Sequence, residues 1–137
     1  MKSFNLIVVF TPDREKLLFC KRRKDPYQGL SNFVGGKVEP GEDPVSAAYR
    51  ELWEETGITR ADIALAHLAD FTYYVSGCQL QVYVGRLKRE VPVAGEENEL
   101  YWSDLDHDFF DTSQYAGIGN IGHILLEVRE AWDKLPW

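Results

Sequence analysis

GKVEPGEDPVSAAYRELWEETGI, residues 36–58, is the stretch on which the reading of this chain turns. Asp43-Pro44 opens a helix, because Asp is a good N-cap and Pro suits the first helical position. Thr56-Gly57 closes it. Between them Val45, Ala48, Tyr49 and Leu52 form an apolar stripe at helical spacing, so a helix is expected over 43–56. On it Glu51, Glu54 and Glu55 stand at i, i+3 and i+4, which brings three carboxylates to one face. Glu42 precedes the helix and approaches the same region. Like charges this close repel, whereas a cluster of carboxylate oxygens suits a hard divalent cation such as Mg²⁺ or Mn²⁺. A solvated acidic face is the competing reading, and Arg50 favours it, since it can pair with Glu54 one turn on. The loop ahead tips the balance toward a ligand. Gly35-Gly36-Lys37 and Pro40-Gly41 let the backbone turn sharply and approach a bound group closely.

Outward from this segment the order reads strand, strand, helix, strand, strand, short strand, helix. Residues 3–10 alternate Phe4, Leu6, Val8, Phe10 against Asn5, Ile7, Val9. Both sets are largely apolar, so the strand is expected to be covered on both faces. After a Thr11-Pro12-Asp13 turn, residues 17–20 form a second strand. Lys21-Arg22-Arg23-Lys24 and a loop follow. Residues 68–75 and 78–87 read as a hairpin around Ser76-Gly77. A short strand lies near 100–102, and Ile121, Ile124, Leu125, Val128 and Trp132 recur at helical spacing over 118–132. A sheet with a helix on each side assembles these elements, and one domain over 1–137 is expected.

Composition narrows the function. The 137 residues are 45% hydrophobic and 13% aromatic, which argues against overall disorder. Fifteen Lys and Arg against 22 Asp and Glu leave a net charge of −7. That balance is poor for binding a nucleic acid polymer through its phosphates, so none is expected as a partner. Phosphate handling would require a local cation to offset the carboxylates. No apolar run is long enough to span a bilayer and the N-terminus has no signal-peptide layout, so a cytoplasmic protein without a membrane partner is expected. Cys20 and Cys78 read as reduced core thiols, and His67, His107 and His123 lack zinc spacing.

The 36–58 segment resembles the Nudix box: G, five residues, E, seven residues, then R-E-aliphatic-x-E-E-x-G-aliphatic. Gly36, Glu42, Arg50, Glu51, Leu52, Glu54, Glu55, Gly57 and Ile58 fill every specified position. Chance agreement at the seven fixed types is roughly 10⁻⁹ per start position. The resemblance implies an α/β/α sandwich with a mixed β-sheet between helices. It also implies Mg²⁺- or Mn²⁺-dependent hydrolysis of a pyrophosphate bond in a nucleoside diphosphate derivative. Carried over by position, Glu54, Glu55 and the Gly35 carbonyl ligate the metal, with Glu51 as ligand or general base. Arg50 and Glu42 buttress the loop and orient Glu51. A further acid comes from the loop Gly95-Glu96-Glu97-Asn98-Glu99. Glu96 has the spacing to Trp102 seen in MutT-like members, and Glu97 and Glu99 remain open choices.

Substrate signals are weaker. Ser31-Asn32-Phe33-Val34-Gly35-Gly36-Lys37 is similar to the segment by which purine nucleoside triphosphate-hydrolysing members contact substrate, with Asn32 matching the residue that reads the base edge. A turn Asn is the plain alternative. Arg22 or Arg23 is placed to meet a phosphate, and Gly36 and Lys37 belong to the same substrate loop. The late stretch 110–117 has no Asp pair, unlike the oxidised-purine enzymes. The Pro common in the ADP-ribose branch is replaced by Tyr73. The expectation is therefore a small-molecule nucleoside triphosphate substrate. A nucleotide-sugar or ADP-ribose pyrophosphatase and a non-catalytic nucleotide-sensing domain stand as alternatives. A monomer or homodimer is expected. An interaction module using Trp132 and Trp137 is a further, remote reading.

Overall fold

The two-sided apolar alternation at the N-terminus becomes β1 (Lys2–Phe10), the strand on which the rest of the fold is built. In this computed structural model, which describes residues 1–95 and 97–137, β1 runs parallel to β6 (Cys78–Arg86) and antiparallel to β2 (Lys16–Lys21). β5 (Ala66–Tyr73) pairs with β6, and β3 (Ser31–Asn32) with β2. β4 (Lys37–Val38) lies along β1, and β7 (Glu99–Asp104) along β2. Among the described residues this is a mixed sheet of seven strands in the order β3-β2-β1-β6-β5, with β4 and β7 off that path. Helix α1 (Pro44–Thr56) covers one face and α2 (Asn120–Glu130) the other.

Successive side chains of a strand point to opposite faces, and β1 uses both. Val8 and Phe10 join Leu17, Phe19, Val82 and Val84 beneath Ile121, Ile124 and Val128 of α2. Ile7 and Val9 join Leu18, Val34 and Tyr83 beneath Ala48 and Leu52 of α1. Two apolar layers with one strand through both give the α/β/α sandwich that the sequence led us to expect. Trp132 and Trp137 stand edge-on to Phe10, with ring centroids 5.4 and 5.1 Å away, and the Arg14 guanidinium lies over both rings. These tryptophans pack against the core on the α2 side of the sheet.

α1 begins and ends as its sequence dictates. The Asp43 carboxylate accepts from the Ser46 N–H at 3.0 Å, Pro44 leads the first turn, and the Gly57 N–H returns to the Trp53 carbonyl at 2.8 Å. The apolar stripe differs in one place: Val45 stays 41% exposed while Ala47 is buried with Ala48 and Leu52. Cys20 is buried, and that burial pushes its thiol up to about 11. Cys78 is only partly buried, so it is not the core thiol expected, and both are free. Among the described residues no helix is long and apolar enough to cross a membrane.

Candidate active site

The glycine loop is fastened to β1 by Asn5. Its main-chain N–H donates to the Gly36 carbonyl at 2.8 Å, and its Oδ1 accepts the Gly36 N–H at 2.9 Å. The loop lies so close that a Cβ at Gly35, which has φ +153, would fall 2.0 Å from the Asn5 carbonyl oxygen. Only glycine fits there. At Gly36 a Cβ would fall 2.3 Å from Glu51 Oε2. The Glu51 carboxylate is therefore seated against the bare Cα of Gly36, which joins the helix acid to the glycine loop.

Arg50 organises the acids around it. Its Nε and Nη2 grip Glu42 at 2.7 and 2.9 Å, and Nη2 also donates to the Lys37 carbonyl at 3.1 Å. Its Nη1 reaches Glu51 at 3.0 Å and Glu54 at 3.2 Å. Glu42 further accepts the Glu39 N–H. These bonds, led by Arg50, hold the Glu42 carboxyl down at about 2, and the same contacts raise Arg50. Burial raises Glu51, against the pull of Arg50. Among the described residues Glu55 forms no ion pair, although the charge of Arg22 acts on it. Burial pushes its carboxyl up to about 7, opposed by the Gly35 backbone N–H and reinforced by the charges of Glu51 and Glu97.

Two clefts meet at these residues. One, of about 810 Å³, is walled by Gly36, Glu51, Glu54, Glu55 and Glu97, with Trp53 on its rim. The other, of about 290 Å³, is lined by Asn5, Arg22, Tyr27, Asn32 and Asn120 among others. Gly36, Glu55 and Asn98 belong to both. The three box glutamates thus share one cleft. As placed, no group of three His, Cys, Asp or Glu side chains among the described residues is gathered tightly enough to grasp an ion. Glu51 and Glu54 are drawn to Arg50 instead. The donor set still fits a hard divalent cation. It consists of carboxylate oxygens, one seated against Gly36 where a Cβ cannot go and one buried and only partly offset by the charge of Arg22.

The expected substrate residues divide. Asn32 and Arg22 line the smaller cleft, and Arg22 Nε donates to the Pro26 carbonyl at 2.6 Å. Arg23 and Lys37 line neither cleft. The Arg23 main-chain N–H donates to Asn98, and Lys37 supplies its carbonyl to Arg50. Glu96 lies outside the described residues. Glu97 lines the carboxylate cleft and Glu99 sits exposed on β7. Phe110 and Tyr115 do not reach the smaller cleft: Tyr115 is core and Phe110 packs over Gly122. Sequence reasoning missed Asn5, Asn98, Asn120 and Tyr27. Asn5 had a signal, as the one polar residue between Phe4 and Phe10 in a doubly buried strand.

A family model described as NUDIX domain matches residues 2–112. The chain is similar to the NAD-capped RNA hydrolase NPY1 of Saccharomyces cerevisiae, 34% identical over 88 residues that are 62% of this chain and 22% of that protein. It is also similar to the 8-oxo-dGTP diphosphatase of Escherichia coli, 31% identical over 75 residues, 53% of this chain and 58% of that one. It therefore spans less than two thirds of either relative. Among solved structures, an Ap4A hydrolase binary complex from C. elegans superposes with a TM-score of 0.77 at 19% identity, covering 98% of this chain and all of that one.

Proposed function

The chain belongs to the NUDIX family, and on that premise we propose that it hydrolyses a pyrophosphate bond in a nucleoside triphosphate, using Mg²⁺ or Mn²⁺. The observation that carries this reading is the junction of the two clefts at Gly36, Glu55 and Asn98. A nucleoside held in the smaller cleft projects its phosphates over that junction toward the glutamates. Glu51, Glu54 and Glu55, with the Gly35 carbonyl, are the groups that would hold the cation, and Glu97 is the near loop acid that would assist. When bound, the cation neutralises charge on the phosphate oxygens.

The remaining work belongs to the chain itself. Arg22 spends Nε on Pro26 and keeps its other guanidinium nitrogens for a phosphate. Glu51, held at 3.0 Å by Arg50 and seated on Gly36, is fixed to orient the attacking water and take its proton. Arg50 and Glu42 act at one remove, by fixing Glu51 and the Lys37 end of the loop. The similarity to a diphosphatase acting on 8-oxo-dGTP supports a triphosphate over a nucleotide sugar.

A panel of nucleoside triphosphates, ADP-ribose, nucleotide sugars and dinucleoside polyphosphates, assayed for released phosphate and pyrophosphate, tests this. Triphosphate turnover should vanish in excess EDTA and return with Mg²⁺ or Mn²⁺. Turnover that persists in EDTA, or ADP-ribose outpacing every triphosphate, refutes it.

A further inference from the structure

Asn5 of β1 and Gln81 of β6 are partners in the parallel register, so their side chains stand side by side on one face of the sheet. It is the face that α1 covers, because Ile7 and Tyr83 lie two residues further along the same strands and pack beneath that helix. Asn5 is 1% exposed and Gln81 9%. Each amide has one end in use. Asn5 Oδ1 accepts the Gly36 N–H at 2.9 Å, and Gln81 Nε2 donates to Gln79 Oε1 at 3.2 Å. The opposite ends, Asn5 Nδ2 and Gln81 Oε1, are the two buried side-chain polar atoms without a hydrogen-bond partner among the described residues. One is a donor and the other an acceptor. Either is costly to leave unpaired, and here the two complementary groups sit on adjacent strands.

From this we infer that Gln81 is a positioning residue for the glycine loop, acting through Asn5 and a single buried water that accepts from Asn5 Nδ2 and donates to Gln81 Oε1. Gln81 lines neither of the two clefts that meet at the glutamates, so it reaches the reaction only through Asn5. The Gly35 carbonyl and the Gly36 N–H belong to one planar trans peptide and point in opposite directions. The bond from Gly36 to Asn5 Oδ1 therefore also aims the Gly35 carbonyl away from Asn5. The same stretch gives the Gly35 N–H to Glu55 and the bare Gly36 Cα to Glu51. Asn5 holds this arrangement only while its own amide is fixed. Gly36 fixes the oxygen end, and Gln81, through the water, fixes the nitrogen end. The bearing of this on catalysis rests on the reading above, in which the Gly35 carbonyl helps to hold the cation.

Gln81→Met keeps the length of the side chain and removes the acceptor, whereas Gln81→Glu keeps an acceptor oxygen. Amide hydrogen exchange, followed by NMR without metal, reads the loop directly. The Leu87 N–H, bonded to the Phe10 carbonyl at 2.9 Å beyond the far end of the same two strands, reports on the stability of the fold. Relative to Leu87, the Gly36 N–H should exchange at least about tenfold faster in Gln81→Met. Gln81→Glu should restore slow exchange at Gly36. Mn²⁺ affinity, measured by calorimetry, should fall about tenfold in Gln81→Met. In wild type the Asn5 side-chain NH₂ should give a dipolar NMR cross-peak to a long-lived water, a measurement that stands if Gln81→Met fails to fold. An equal change at Gly36 and Leu87, an unchanged Gly36 rate in the folded variant, or no water cross-peak at Asn5 overturns the inference. Faster exchange at Gly36, reversed by Gln81→Glu but with Mn²⁺ affinity unmoved, sustains the inference and instead removes the Gly35 carbonyl from the proposed cation site.

Discussion

Replacing Glu55 with Gln should make the metal-free protein more stable at alkaline pH and leave it nearly unchanged at pH 5. The Glu55 carboxyl titrates at about 7 in the folded chain, against an ordinary 4.5, because it is buried beside Glu51 and Glu97 and the charge of Arg22 offsets this only in part. Between those two values the folded state binds more protons than the unfolded state, so stability falls as pH rises through the window and stays low above it. Each pH unit of displacement corresponds to about 1.4 kcal/mol, which sets a ceiling of about 3 kcal/mol on the stability lost by pH 8. For a domain of this size that is a drop in Tm of about 10 °C at most. Gln keeps the shape and removes the charge. Thermal melts of both proteins in EDTA at pH 5, 6, 7 and 8 should diverge steadily, with wild type falling below Glu55→Gln. Other titrating groups are common to both chains and cancel in the difference. Adding Mg²⁺ at pH 8 should restore wild type and move the variant little, because a ligand that binds only the folded state stabilises it by mass action. A Tm difference that does not change with pH refutes the argument that burial outweighs the Gly35 N–H and the charge of Arg22 at the Glu55 carboxyl.

Three further outcomes are expected. Glu54→Gln should cost at least about tenfold in activity yet leave the metal-free Tm intact or higher, whereas Glu42→Gln should lower Tm and cost less activity. Wild type gains stability from Glu42 above pH 4.5 and loses it as pH falls toward 2, and melts of Glu42→Gln should lack that acid-limb loss. Gly36→Ala places a Cβ 2.3 Å from Glu51 Oε2, so it should cut kcat by displacing that carboxylate; normal kcat would mean Glu51 need not rest on the loop. Phe10→Ala removes a buried ring that seats Trp132 and Trp137, so it should cost about 3–5 kcal/mol by denaturant titration and shift the tryptophan emission.

Much of this was legible along the chain because it is local. Asp43-Pro44, Gly57 and the i, i+3, i+4 spacing of Glu51, Glu54 and Glu55 are properties of one helix and its ends, and helical geometry alone turns that spacing into a shared face. The double apolar alternation of β1 likewise announced a strand packed on both sides, and two cores formed on it. β3 and β4 were not legible: two residues carry no periodicity, and each exists only because a longer neighbour supplies its hydrogen bonds.

Of the smaller cleft, Asn32 and Arg22 were legible in the sequence, and the rest was decided by tertiary structure. Asn5, Asn32, Asn98 and Asn120 come from β1, from β3, from the loop before β7 and from the first turn of α2. No spacing rule links them, because what brings them together is the pairing of β2 with β3 and β7 and the docking of α2 on the sheet. The sequence determined that four amides exist. The direction in which each presents its donors was decided by main-chain N–H groups distant in sequence for Asn5 and Asn98, and by the adjoining residue for Asn32. Hydrogen-bond polarity at a site depends on which end of an amide the fold has already used, and that is a fact of three-dimensional pairing.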